Sequence, residues 1–231
     1  MTSYLWTPPP APSLPVRGKT ERLPVNRLFF VGRNYHAHAV EMGKPVDKSV
    51  ERPFYFTKSP QTLLESGATM PYPSETKNFH FEMELVVAIG KPGFRVKAED
   101  AHQIIYGYAA GLDMTRRDLQ LKLRDKGRPW ELGKAFDQSA PISPIVPAAR
   151  CGHPRRGAID LKVKSRSRQH GDLADMIWPV AEIIANLSGY VTLLPGDLIF
   201  TGTPAGVGPV QRGDMLEGEI EGVGRLALTI A

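Results

Sequence analysis

The sequence predicts an α+β chain that is mostly β, a rolled or sandwiched sheet with a few short helices, on three observations. Apolar runs are short, roughly five to eight residues, and each is bounded by Gly, Pro or Asp. Only three segments carry helical spacing. The regular strand-helix alternation of a parallel α/β fold is missing.

Taken in order, the chain opens on "MTSYLWTPPPAPSLPV", whose prolines favour an extended strap on the domain or a mobile tail. The expected organisation is a Pro-rich extension over 1–25 and a single folded domain over 26–231. "RLFFVG" reads as a strand, and "NYHAHAVEMGK" as a short helix with Asn34 as N-cap and Gly43 just past its end. "ELVVAIG" and "IIYGYAAGLDM" read as strands; the unbroken run Leu85 to Ile89 fits a strand buried on both faces. "TRRDLQLKLRDKG" has the clearest helix signature, with Thr115 as cap, Asp118 closing a capping box and Gly127 as the stop. From Ile159 onward short strands alternate with turns, interrupted by one helix near "PVAEIIANLSGY".

Composition narrows the function. A chain of 231 residues, 42% apolar and 23% charged, is that of a globular protein able to bury a sizeable core. The single cysteine, Cys151, rules out an intrachain disulfide and fits a reducing, cytoplasmic setting. The N-terminus has neither the basic start nor the apolar stretch of a signal peptide, and no run reaches the ~20 apolar residues of a membrane helix. The net charge is +5, yet the one dense basic stretch, "KVKSRSRQH", alternates like a solvated hairpin without aromatic residues for base stacking. No nucleic-acid partner is expected, and the basic surface suits a small anionic substrate.

The chemistry begins at "NFHFEMELVVAIG". Side chains two apart in a strand share a face, which puts Glu82 beside Glu84 with His80 before them. Two adjacent carboxylates repel, so the pair is either a solvated strand end neutralised by Lys77 or an arginine, or it holds a divalent cation. Asp113, between a strand and a helix, is the best third carboxylate; oxygen ligands without cysteine favour Mg²⁺ or Mn²⁺ over zinc. His36 and His38 diverge on a helix and make no zinc pair, whereas His38 and Glu41, three apart, share a face and suit a general base with its orienting carboxylate. Lys134 is either surface charge or an oxyanion donor. "TGTPAGVGP" lacks the Lys-Ser/Thr of a phosphate loop, but its backbone N–H groups suit a carboxylate.

The segments "VGRNYHAHAVEM", "HFEMELVVAIG", "GYAAGLDMTRRDLQ", "RPWELGKAFDQSAPISP" and "PGDLIFTGTPAGVGPV" together resemble the fumarylacetoacetate hydrolase family from about Arg27 onward. The likeness extends to its single-domain bacterial members, with their Pro-rich start and "EMGKP" helix end. The resemblance implies a mixed β-sandwich roll of the fumarylacetoacetase C-terminal type, a homodimer, and a catalytic role for 26–231. It implies Mg²⁺ or Mn²⁺ on Glu82, Glu84 and Asp113, a water-activating pair in His38 and Glu41, and an oxyanion-stabilising Lys134. Arg117, Gln120 and Thr203 match positions that touch the substrate, with Arg33 and Arg116 left over for a distal carboxylate. The implied reaction is hydrolysis of a carbon–carbon bond in a 2,4-diketo acid, above all fumarylpyruvate to fumarate and pyruvate in gentisate catabolism. Other members cleave acylpyruvates, decarboxylate oxaloacetate, or isomerise and decarboxylate homoprotocatechuate-pathway intermediates. Two departures stand out: only His80 precedes the Glu-x-Glu, and the hairpin at Lys164 to Arg168 lacks the family's Asn-Gly turn.

Overall fold

In the computed structural model, which describes residues 3–231, the longest sheet has its centre in the antiparallel pair Met83–Ile89 and Ile105–Leu112. The apolar run explains that place. Leu85, Val87 and Ile89 enter the larger core, while Val86 and Ala88 enter a smaller one on the opposite face, so the strand is buried on both sides.

Outward on one side of Met83–Ile89 lie Leu198–Phe200, Leu28–Gly32 and Phe54–Lys58; beyond Ile105–Leu112 come Ala140–Ile142 and Leu63–Glu65. Leu198–Phe200 runs parallel to Leu28–Gly32, and Ala140–Ile142 parallel to Leu63–Glu65, so the sheet is mixed. A second sheet carries Arg166–Asp172, Ala158–Val163, Met215–Ile220, Gly224–Ile230 and Thr69–Met70 in that order. Its Ile159, Leu161, Leu216, Leu226 and Leu228 close the larger core. The smaller core is covered by the hairpin of Ser13–Pro15 and Arg22–Pro24, where Leu14, Val16, Leu23 and Val25 are buried. The fold is thus α+β and mostly β. No helix among the described residues is long and apolar enough to cross a membrane.

Several local readings hold. Helices form at His36–Glu41, Arg117–Asp125 and Val180–Tyr190, and Gly43 and Gly127 follow the first two with φ of 71° and 61°. Lys164 and Ser165, with φ of 49° and 62°, make the two-residue turn that Asn-Gly fills most readily.

The caps are corrected. Asn34 caps nothing: it is fully buried, donating Nδ2 to the carbonyls of Trp178 (2.9 Å) and Thr201 (2.8 Å) and accepting from the Trp178 N–H (2.7 Å). Thr115 lies in a bridge with His80, two residues ahead of the first helical position, and its hydroxyl serves Asp113 and Lys134 instead. Asp118 reaches Thr76 Oγ1 (2.6 Å) and the Lys77 N–H (2.9 Å), tying the helix to the loop before the Glu-x-Glu. In each case a tertiary partner outcompeted the local one.

Asn34→Ala would strand one donor and two acceptors of the buried backbone. The expected cost is ~3 kcal/mol or more in urea unfolding, at 1–3 kcal/mol per orphaned group; a loss below ~0.5 kcal/mol would show that water repairs the gap.

Candidate metal and catalytic centre

Strand register assembles the carboxylates. Met83 faces Leu112 and Glu84 faces Gly111, so the residue before one strand and the residue after the other must meet. They do, with the Asp113 N–H donating to the Glu82 carbonyl at 2.9 Å. Glu82, Glu84 and Asp113 are at most 5% exposed, and one oxygen from each lies within 4.8 Å of the others.

Such a cluster stands only with positive charge among it. Lys134 Nζ donates to Glu82 Oε2 (2.9 Å), Asp113 Oδ2 (2.5 Å) and Thr115 Oγ1 (2.8 Å), which occupies all three of its N–H bonds. Arg117 pairs with Glu82 Oε1, and Lys58 Nζ lies 2.7 Å from Asp113 Oδ1. Burial raises the Glu82 carboxyl, but Lys134 and Arg117 outweigh it and hold the group well below the usual carboxylate range. Glu84 goes the other way: burial first, then Asp113 and Glu82, push it well above that range. It has no cationic partner among the described residues and accepts only the Gly202 N–H, at 2.7 Å.

A divalent cation fits what remains. The donors are all carboxylate oxygens, and Asp113 Oδ1 accepts no well-formed hydrogen bond although it is buried. Hard oxygen ligands at this spacing suit Mg²⁺ or Mn²⁺, whose other positions stay open to water and substrate oxygens.

His38 is 5% exposed and its Nδ1 lies 3.0 Å from Glu41 Oε2, while His36 on the same helix faces solvent. With Nδ1–H donated to the carboxylate, Nε2 keeps its lone pair. Burial opposes ionisation of Glu41, but His38 and the Gly206 N–H at 3.2 Å hold its carboxyl low. The Thr201 loop therefore receives carboxylates as its glycines suggest, but they are the protein's own: Gly202 holds Glu84 and Gly206 holds Glu41. At Gly206, φ is +95° and a Cβ would come within 2.1 Å of the Arg168 carbonyl, so the loop's path requires glycine there.

The triad, His38, Lys134, Arg117, Gln120 and Thr203 line one cavity of about 290 Å³. Glu41 stands behind His38 rather than in the wall. Arg117 Nη1 donates to Gln120 Oε1 at 2.5 Å, which turns the Gln120 amide nitrogen away from the guanidinium. Arg33 lines the cavity, whereas Arg116 lies outside the wall, its guanidinium 4.3 Å from the Phe136 ring centre and its Nη1 on the Leu132 carbonyl.

His80 is also outside. The chain leaves its short strand Phe79–Phe81 at Glu82, which breaks the alternation that put His80 on the glutamates' face; its Nε2 meets Asn78 Oδ1 at 2.8 Å. Burial, reinforced by Arg117, pushes its imidazole down to about 4. Two residues escaped the sequence reading. Lys58 was visible in principle, since "FYFTK" places it on the face of Phe54 and Phe56. Gln169 was not: it is fully buried within the basic hairpin, where it accepts the Met83 N–H and donates to Thr203 Oγ1 (2.7 Å) and the Pro204 carbonyl.

Fold and site together define a divalent-metal enzyme on a mixed β-roll. The chain belongs to the fumarylacetoacetate hydrolase family, matching the description "Fumarylacetoacetate (FAA) hydrolase C-terminal" over residues 27–231. It is similar to a fumarylpyruvate hydrolase of a Ralstonia species, 59% identical over 82% of this chain and 98% of that one. A crystal structure of fumarylpyruvate hydrolase from Pseudomonas aeruginosa in complex with Mn²⁺ and pyruvate superposes with a TM-score of 0.95, 49% identity and 99% of both chains covered. An oxaloacetate tautomerase of Escherichia coli is 40% identical over 86% of this chain and 90% of its own.

Glu82→Gln, Glu84→Gln and Asp113→Asn should each weaken Mn²⁺ binding by at least ~10-fold in calorimetry, since even residues behind metal ligands are worth 10–100-fold. Wild-type affinity in any one variant would remove that residue from the ligand set.

Proposed function

We propose that the chain hydrolyses a carbon–carbon bond of a 2,4-diketo acid, with fumarylpyruvate giving fumarate and pyruvate as the step of gentisate catabolism it serves. One observation carries this reading: His38, its Nδ1 held by Glu41, faces the same cavity as the buried triad. A base oriented by a carboxylate beside a cation site is the equipment for adding water to a carbonyl. The similarity to fumarylpyruvate hydrolases supports the substrate.

Glu82, Glu84 and Asp113 would hold Mg²⁺ or Mn²⁺, which would supply Lewis acidity toward the 2-oxo acid end of the substrate. His38 Nε2 takes a proton from water, whose oxygen bonds to C4 of the substrate, and Glu41 stabilises the imidazolium. The Gln120 amide donates to the resulting oxyanion, Lys134 stabilises it by charge and by turning one N–H from Thr115 Oγ1 toward it, and Thr203 and Arg117 position the pyruvoyl end. The C3–C4 bond breaks with its electron pair left on C3, which His38 reprotonates to give pyruvate; C4 becomes the new carboxyl of fumarate. The catalytic unit is 26–231, with 1–25 as its extension, working as a cytoplasmic homodimer whose other partner is the small anionic substrate.

A second reading rests on the 40% identity to the oxaloacetate tautomerase. The same site would enolise oxaloacetate, or decarboxylate it, without adding water. Assays of fumarylpyruvate and oxaloacetate side by side separate the two, and faster turnover of oxaloacetate would displace the hydrolase reading.

His38→Ala is expected to lower kcat by ~10²–10⁴-fold, the scale of a lost general base, while Mn²⁺ still binds. Glu41→Gln should be milder, because the imidazole stays in place. Full hydrolysis by His38→Ala would mean that water is activated without it.

A further inference from the structure

One face of Phe54–Lys58 serves as a ruler along the cavity. Alternation puts Phe54, Phe56 and Lys58 on the same side, and Lys58 marks the inner end by its 2.7 Å approach to Asp113. Lys134 Nζ sits 5.1 Å from the Phe56 ring centre. From Phe56 the aromatic wall continues to Trp130 (6.2 Å between ring centres) and on to Phe54 (5.5 Å, edge to face). Arg33 lies over Phe54, its guanidinium carbon 5.4 Å from the ring centre. Four residues of extended chain separate Phe54 from Lys58, roughly 13 Å.

The outer end is built, and it is positive. Gly32 has no side chain to spare there: a Cβ would fall 2.0 Å from the Phe54 ring. Arg33 adopts φ of 53°, a left-handed conformation that a long side chain rarely takes without cause. Its Nη2 is braced on Glu51 Oε2 (3.0 Å) and its Nη1 on the Lys44 carbonyl (3.3 Å). Lys44 and Arg124 line the same cavity; Lys44 forms no ion pair among the described residues, and Arg124 meets only its exposed neighbour Asp125. Three cations thus line this cavity, with Glu51 bracing Arg33 and Asp125 beside Arg124.

We propose that this outer end, anchored by Arg33 with Lys44 and Arg124 beside it, is a recognition site for a second carboxylate at the far end of the substrate's acyl group. The inference rests on the diketo-acid reading above and adds to it the residues of this chain that discriminate for a carboxylate at the end of the acyl group. An extended seven-carbon chain is roughly 7 Å long, equal to about two residues of backbone, and with an ion contact at each end it fills the span. Phe54, Phe56 and Trp130 flank the middle, where an unsaturated chain packs on rings. A five-carbon substrate such as acetylpyruvate engages the inner end alone and makes no contact with the outer cations.

The test is the ratio of kcat/KM for fumarylpyruvate to that for acetylpyruvate, read as pyruvate release at saturating Mn²⁺. In the wild type it should be at least ~10², because a site built around a polar contact rejects the analogue that lacks it. Arg33→Met should bring it below ~5, and Arg33→Lys should restore part of it. The Lys44→Met/Arg124→Met double variant, which leaves Arg33 and its brace on Glu51 in place, should lower it by ~10-fold even if Arg33→Met fails to fold. A wild-type ratio near one, or ratios within ~3-fold of wild type in all these variants, overturns the distal site and leaves hydrolysis intact. Failure of the wild type to release pyruvate from either substrate sinks the hydrolase reading itself.

Discussion

Three carboxylates with almost no access to water are the constraint around which the rest of the structure is arranged. Antiparallel register forces Glu82 against Asp113 and sets Glu84 one pleat further along. Left alone, that arrangement would protonate or push the strands apart. Lys134, Lys58 and Arg117 offset much of the charge, each nearly fully buried, and each from a different part of the chain. Breaking a buried pair of this kind by removing one partner typically costs 3–5 kcal/mol, so the cluster fixes the positions of the helix at Arg117 and the edge strand Phe54–Lys58 as firmly as the apolar core does.

The same constraint gives the site its polarity. Lysine and arginine neutralise Glu82 and Asp113 but leave Glu84 with a lone backbone donor. A hard cation is what the remaining oxygens lack. The loop that follows Phe200 serves both halves of the chemistry at once, since Gly202 steadies Glu84 and Gly206 steadies Glu41 four residues later. Gln169 couples that loop to the Glu-x-Glu by joining Thr203 to Met83 across the two sheets. The carboxylate triad and the His38–Glu41 pair therefore share one support.

Much of this was legible in the sequence wherever period and chemistry agreed. Glu82 and Glu84 at strand spacing before an apolar run, Asp113 at a strand end, and His38 with Glu41 at helical spacing all lie where those rules put them. The misses share a cause. Asn34, Thr115 and Asp118 have side chains that cap helices in isolation, yet each found a partner distant in sequence. His80 lost its expected face because the strand breaks at Glu82. Gln169 sits in a stretch whose charge pattern says solvent, and only the packing of one sheet on another reveals that it is buried.

The central claim is that water, activated at His38 beside a cation held by the triad, is added to the acyl carbonyl. Turnover of fumarylpyruvate in H₂¹⁸O, with the products read by mass spectrometry, tests it most directly. The account predicts one ¹⁸O in the newly formed carboxylate of fumarate, with turnover lost on chelation and restored by Mn²⁺. Fumarate free of label, or label incorporated at the same rate after complete metal removal, would contradict it.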